Sequence, residues 1–419
     1  LMLALLALGV PVAFAMGIAG ALGLFFEGGT RAVYGVLATS PISTASTYEL
    51  ITVPMFILMA EFVIASRIAE EMFDSVVIWV GRLRGGLAVA TAFAGAGFGA
   101  ISGSSTAGAA TLASTSLPAM IRRGYDRHLA NGVVAISGTL AMLIPPSVAA
   151  VLYALVADQD LGKMLIAGIV PGILVALLIA GTVLFLVWKD PARAPVEPAH
   201  SWRAKFRSLK TTGPMGVLVL LVTGVIYLGV APPTEASSLG AMGALLIAAS
   251  RRRLTRARFF QAVAGAARTS AMITLIIVAA HLFGYFLTMT QTTQQFIHFV
   301  SGLDLHRYVI LAIIVTLYLF LGLFMDQVAI LVLTVPIVVP IVTALGFDPI
   351  WFGVIVILTA EVGMVTPPVG MNCFVVARYT GRPVEEVFAG IWPHVVAHIL
   401  LIALLAAFPE IILWLPSTM

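Results

Sequence analysis

The sequence predicts an all-α polytopic membrane protein made of two inverted-topology repeats. Each repeat is expected to hold a re-entrant helical hairpin and a helix broken at a double proline. Three observations carry this prediction. The chain is 60% hydrophobic and 10% charged, against about 25% charged in soluble domains. It has at least eight apolar runs of bilayer-spanning length, roughly 20 residues, among them 3–26, 50–66, 213–230, 268–290 and 391–415. Two of its apolar stretches are interrupted in the same way, by Pro145-Pro146 in "AMLIPPSVAA" (141–150) and by Pro367-Pro368 in "GMVTPPVGMN" (363–372).

The repeat follows from sliding the chain along itself by 222 residues. Pro145-Pro146 then falls on Pro367-Pro368, Pro118 on Pro340, Gly124 on Gly346, Asp126 on Asp348, Gly168 on Gly390 and Pro171 on Pro393. That many coincidences without a gap indicate an internal duplication. The first repeat is expected over 1–190, with its hairpin at about 86–120 and its broken helix at about 131–157. Residues 191–231 form a surface helix and a connecting span. The second repeat covers 232–419, with its hairpin at about 307–345 and its broken helix at about 350–378. The first residues lack a basic n-region, so a true span with its start trimmed is expected in place of a signal peptide.

Charge sets the orientation. Twenty of the 23 Lys and Arg residues fall in 67–84, 121–127, 189–210, 251–268 and 378–382. Basic loops stay cytoplasmic. Arg122-Arg123 in the first repeat is replaced by Ala344-Leu345 in the second, so the two copies are expected to lie inverted in the membrane. The N-terminus is then cytoplasmic and the C-terminus periplasmic. Orientation accounts for "RRRLTRAR" (251–258), and no nucleic-acid partner is expected. "SWRAKFRSLK" (201–210) reads as an amphipathic helix on the lipid surface.

Prolines remove backbone donors and free carbonyls. In lipid such breaks survive only where protein or a cavity surrounds them, and transporters of inverted repeats bind ions and substrates there. A plain proline kink is the simpler alternative. Ionisable residues within spans are functional suspects. Asp326, at the second hairpin tip, and Glu361, six residues before Pro367, are expected to face the centre and hold a cation or proton. Glu61 fits a functional or a structural role, and His281 fits a satisfied structural role. His394 and His398 share a helical face but lack a third ligand, so no transition-metal site is expected. Cys373 is the single cysteine and reads as a buried, inert thiol. "GAISGSSTAG" (99–108) touches the nucleophile-elbow pattern without a preceding strand or an activating His. No phosphate loop with its lysine is present. Neither an enzyme nor a primary pump is expected.

These motifs resemble the large membrane subunit, dicarboxylate type, of tripartite ATP-independent periplasmic (TRAP) transporters. "LGVPVAFAMGIAG" (8–20), "GAISGSSTAGAAT" (99–111), "GTLAMLIPPS" (138–147), "LIAGIVPGIL" (165–174), "APPTEAS" (231–237), "GLFMDQVAILVLTVPIVVPI" (322–341) and "VTPPVGMN" (365–372) occur in the family's order. In "APPTEAS" the family more often shows Thr before the first Pro. The resemblance implies an elevator-type ion-transporter architecture in a bacterial or archaeal cytoplasmic membrane. It implies sodium-coupled import of an organic anion with a carboxylate, such as a C4-dicarboxylate, sialic acid or another sugar or keto acid. It also implies two partners: a small membrane subunit of about four helices and a periplasmic substrate-binding protein. No cofactor is implied beyond sodium as coupling ion.

Carried onto this chain, the resemblance puts one sodium site among Gly103, Ser104, Ser105, Gly138, Thr139 and Pro145. A second lies among Met325, Asp326, Gln327, Glu361, Gly363, Thr366 and Met371. The substrate is expected near Ser105, Ser147, Gly370 and Asn372, held by tip amides and hydroxyls, since no arginine stands at membrane depth in this reading. Three alternatives remain open: a sodium- or proton-coupled symporter working without a binding protein, a passive channel, and a non-transporting structural subunit.

Overall fold

The structure, a computed structural model, describes residues 1–66, 68–196, 200–303 and 305–419. Among the described residues it is helical throughout, with no strand. Among the described residues six helices are long and apolar enough to cross a membrane.

In the first repeat, α1 (Met2–Ala7) is followed by α2 (Val12–Ala45), α3 (Thr52–Ala65) and α4 (Ile68–Val80). The first hairpin is α5 (Gly86–Ser102) and α6 (Ser105–Arg122). The broken helix is α7 (Arg127–Ser137), a 3-10 turn over Gly138–Met142, and α8 (Val148–Val156). Then come α9 (Leu161–Ala167) and α10 (Ile169–Lys189), and α11 (Trp202–Tyr227) connects to the second repeat. That repeat holds α12 (Pro233–Ser250), α13 (Arg256–Met289) and α14 (Thr292–Ser301). Its hairpin is α15 (Arg307–Gly322) and α16 (Gln327–Ala344), and its broken helix is α17 (Pro349–Gly363) and α18 (Met371–Thr380). The chain closes with α19 (Val384–Ala407) and α20 (Glu410–Leu413).

The 222-residue offset reappears in the helix caps. Ser104 accepts from Ala107 N at 3.4 Å, and Asp326, its equivalent, accepts from Ala329 N at 3.1 Å. Asp126 caps α7 through Leu129 N at 2.9 Å, and Asp348 caps α17 through Trp351 N at 2.9 Å. A side-chain oxygen at this position satisfies one of the amides that a helix start leaves orphaned. In a chain with so few polar groups, these four residues set where the hairpin arms and broken helices begin.

Both double prolines are cis. The carbonyls freed at the breaks find nearby donors. The Ser147 hydroxyl donates to Met142 O. Asn372 N donates to Met364 O at 3.2 Å, and the Cys373 thiol to Val365 O at 3.3 Å. Three of the carbonyls at the breaks are thus satisfied from within the protein, as an apolar surrounding requires.

Packing divides the helices into two groups. In the outer group the part of α2 before Gly29 runs parallel to α13 along a glycine stripe. A methyl group on Gly20 would come within 3.0 Å of the Phe283 backbone, and one on Gly28 within 2.6 Å of Met289 Cε. Such small-residue stripes let membrane helices approach closely. α3 packs on α12 and α13. In the inner group each hairpin packs on the break of its own repeat, and the post-break halves are exchanged: α8 lies against α16, and α18 against α6.

Three predicted spans differ from the structure, and one of them, 268–290, begins earlier, at Arg256. The run 3–26 is interrupted at Gly9 (φ 80°) and Pro11, and the helical stretch from Val12 to Ala45 is itself broken at Gly29 (φ 63°, ψ −165°). Proline lacks the amide that would continue α1. The run 391–415 begins earlier, at Val384, and stops at Ala407 before Pro409. α11 bends by 57° between Trp202–Lys210 and Thr212–Tyr227. Its amphipathic first part docks on α4, where Lys205 Nζ lies 5.6 Å from the Trp79 ring and Trp79 Nε1 donates to Ser208 Oγ at 3.3 Å.

Candidate functional site

At the first hairpin tip Gly103 has φ 57°, a left-handed conformation open to glycine without steric cost. It turns the chain directly into the start of α8, where a methyl group on Gly103 would come within 2.8 Å of Val148 Cγ2. A methyl group on Gly138 would come within 2.9 Å of Ser105 O and 2.8 Å of Ala109 N. Tip and break therefore touch where Ser105 meets Gly138, while Gly103 meets Val148 at the start of α8. Thr139 is buried, and its hydroxyl donates to Ile136 O at 2.7 Å. Pro145 stays within the break, and Ser104 serves as the α6 cap.

The second repeat has a parallel arrangement with different chemistry. Gly322 and Gly363 bring α15 and α17 into backbone contact, and a methyl group on Gly363 would lie 2.6 Å from Gly322 Cα. Gln327 is buried, and its Nε2 donates to Ile357 O at 3.2 Å. Asp326 caps α16, with Met325 immediately before it. The Thr366 hydroxyl donates to Val362 O at 2.6 Å, and Met371 opens α18 after Gly370. Gly370 has φ 48° and lies against Phe388.

Glu361 faces the other repeat. Ser105 Oγ donates to Glu361 Oε2 at 3.1 Å and accepts from Asn372 Nδ2 at 2.7 Å. Ser105, Glu361 and Asn372 are 1%, 2% and 0% exposed. One hydroxyl from the first hairpin thus joins a carboxylate and an amide from the second repeat's broken helix. Three oxygens nearby are buried without a partner among the described residues: Glu361 Oε1, Asn372 Oδ1 and Gln327 Oε1. Gln327 reaches α17 one turn before Glu361. These are hard oxygen acceptors with spare lone pairs, the donor type that alkali and alkaline-earth cations take. The Ser147 hydroxyl is already engaged on both sides, with Met142 O and with Ala150 N at 3.1 Å.

Beside this cluster lies a cavity of about 600 Å³ lined by Thr106, Ala107, Ala110, Val375, Arg378 and Tyr379. Arg378 is its only basic side chain. Sequence reasoning grouped Arg378 with the loop basic segment 378–382, because only the packing of α18 on α6 brings it beside the hairpin. In this packing the Arg378 side chain lines the same cavity as Thr106 and Ala107, next to the hairpin tip. His281 is hydrogen-bonded to Thr44 at 2.8 Å between Nδ1 and Oγ1, and His398 Nδ1 pairs with His394 O at 2.7 Å. Among the described residues no group of three or more His, Cys, Asp or Glu could hold a metal.

Two hairpins closing on two discontinuous helices, with polar groups concentrated at their junction, define a polytopic transport protein of the broken-helix class. The chain belongs to the DctM component family of tripartite ATP-independent periplasmic transporters, whose family model matches residues 1–411. It is 33% identical to the C4-dicarboxylate TRAP transporter large permease of Pseudomonas aeruginosa, covering 91% of this chain and 89% of that one. It is 30% identical to the sialic acid TRAP transporter large permease of Vibrio cholerae, covering 99% and 96%. In fold it is similar to the YdaH transporter of Alcanivorax borkumensis, with a TM-score of 0.68 at 16% identity over 92% of this chain and 90% of that one.

Proposed function

We propose that this chain is the permease of a sodium-coupled importer for small organic anions that carry a carboxylate. The observation that carries this reading is the buried Ser105–Glu361–Asn372 cluster, with its orphan oxygens beside a cavity holding one arginine. A carboxylate in an apolar interior needs a cation or a proton to balance it. Glu361 has no basic partner among the described residues, so a coupling ion supplies the balance. Sodium at Glu361, Asn372 and Gln327 and a cargo carboxylate at Arg378 would be adjacent, and each would favour the other's binding.

Alternating access fits the two packing groups. The hairpins and broken helices move as a unit against α2, α3, α12 and α13, carrying ion and cargo together. The substrates for which two of the relatives are named, C4-dicarboxylate and sialic acid, both present carboxylates. In this reading the chain sits in the inner membrane, works with a small membrane subunit and receives cargo from a periplasmic binding protein.

The test is reconstitution of the three proteins in liposomes under an imposed sodium gradient. Accumulation above the external cargo concentration, abolished when sodium is replaced by potassium, is expected. Equilibration without accumulation would make the chain a channel. Uptake by this chain alone would make it a symporter independent of a binding protein. In the same assay Arg378→Gln is expected to raise the KM for a carboxylate cargo by roughly 10- to 100-fold, the value of a hydrogen bond to a charged group. kcat should change little, and Arg378→Lys should restore part of the affinity. An unchanged KM would remove Arg378 from the cargo path.

A further inference from the structure

We propose that the cytoplasmic end of the inner group holds a binding site for one anionic phospholipid of the inner leaflet, bridging the two repeats. A second cavity, of about 300 Å³, lies between α6 and α7 of the first repeat and α18 and α19 of the second. Its lining is divided by chemistry. Ala113, Leu117 and Ile121 recur every four residues along α6 and form an apolar wall with Pro118. That spacing puts them on one face of the helix. Arg122, Arg127 and Arg382 form a basic rim, and Asn131, Tyr379 and Thr380 add polar groups.

The charges do not cancel. Arg382 pairs with Glu386 at 3.4 Å. Arg122 and Arg127 are exposed and make no hydrogen bond or ion pair among the described residues. Asn131 is 2% exposed, and its Oδ1 has no partner among the described residues. Two unneutralised guanidiniums about one helical turn from an apolar stripe suit a molecule with a phosphate at one end and a chain at the other. A soluble anion would leave the α6 wall without a purpose. Basic pockets between membrane helices on the cytoplasmic side take anionic head groups in this way, and the guanidinium fork matches phosphate geometry.

The site is confined to one end of the molecule. At the 222-residue offset Arg122, Arg127 and Asn131 become Ala344, Pro349 and Gly353, so the second repeat has no counterpart on the opposite face. A lipid here would fasten the first hairpin to the second repeat beyond the reach of the Ser105–Glu361 contact.

The purified chain, in phosphatidylcholine nanodiscs with or without phosphatidylglycerol, tests this by melting temperature and by native mass spectrometry of retained lipid. Phosphatidylglycerol is expected to raise the wild-type melting temperature. Arg122→Gln/Arg127→Gln should lose that rise and weaken lipid retention on the order of thirtyfold, the effect of two cationic contacts. Arg122→Lys/Arg127→Lys should keep part of the rise, which covers the case where the Gln pair folds poorly. Arg82→Gln/Arg84→Gln, at the exposed loop before α5, should keep all of it. An equal phosphatidylglycerol effect in the Gln pair at Arg122 and Arg127, or its loss in the Arg82/Arg84 pair, would reduce the site to general surface charge and overturn the proposal. Stabilisation of the wild type by inorganic phosphate alone, to the same extent, would overturn it in favour of a soluble-anion site.

Discussion

Glu361→Gln is expected to cut sodium-driven uptake by two orders of magnitude or more and to erase any sodium-specific rise in melting temperature. The amide keeps the shape of the side chain, and its oxygen can still accept from Ser105, as Glu361 Oε2 does at 3.1 Å. What it loses is the negative charge. Breaking a buried charge pair by removing one partner costs about 3–5 kcal/mol, which corresponds to roughly 100- to 4,000-fold in ion affinity. Stability without sodium should hold or rise, because a neutral amide is cheaper to bury than a carboxylate. Melting curves in sodium, potassium and choline separate the two effects. A sodium response retained in Glu361→Gln would place the coupling ion elsewhere, with Asp326 the next residue to replace.

The second large effect concerns packing. Gly390→Val is expected to abolish recovery of a monodisperse protein. A Cβ at Gly390 would run into His128 O and come within 2.7 Å of His128 C and 3.1 Å of Gly132 N. All three are backbone atoms of α7, which cannot turn aside as a side chain could. Overpacking of this kind costs about 1–3 kcal/mol and more where backbone must shift. Gly216→Val is the control, since nothing lies within 4 Å of a Cβ there. Size-exclusion profiles and melting temperatures of the two variants should diverge sharply. A normal Gly390→Val protein would mean that α7 and α19 are not packed this tightly.

Much of this fold could be read from the residues because polar groups and prolines are scarce. Ser104, Asp126, Asp326 and Asp348 stand out in an apolar chain, and all four cap helices at equivalent places in the two repeats. The double prolines mark the breaks for the same reason. Apolar periodicity sets no limit on a helix that runs past the bilayer, so the 34-residue length of α13 could not be read. The partners of Glu361 were hidden for a different reason. Ser105 is 256 residues away in sequence, and nothing local states that the post-break halves are exchanged between repeats. The same exchange concealed Arg378, whose position beside Thr106 depends on α18 lying against α6.

That exchange has a consequence for how the chain is made. Synthesis runs from the N-terminus, and domains generally fold as they emerge. The first hairpin enters the bilayer long before α18 exists, so Ser105 and the α6 face meet their partners only when nearly the whole polypeptide has been translated. Contacts this distant close slowly. Until then the early half holds an unfinished polar tip in lipid, a nascent species that insertion factors would have to shelter and quality-control proteases could recognise. A ribosome stalled after α10 would leave no working half-transporter, only a fragment whose tip lacks Glu361 and Asn372.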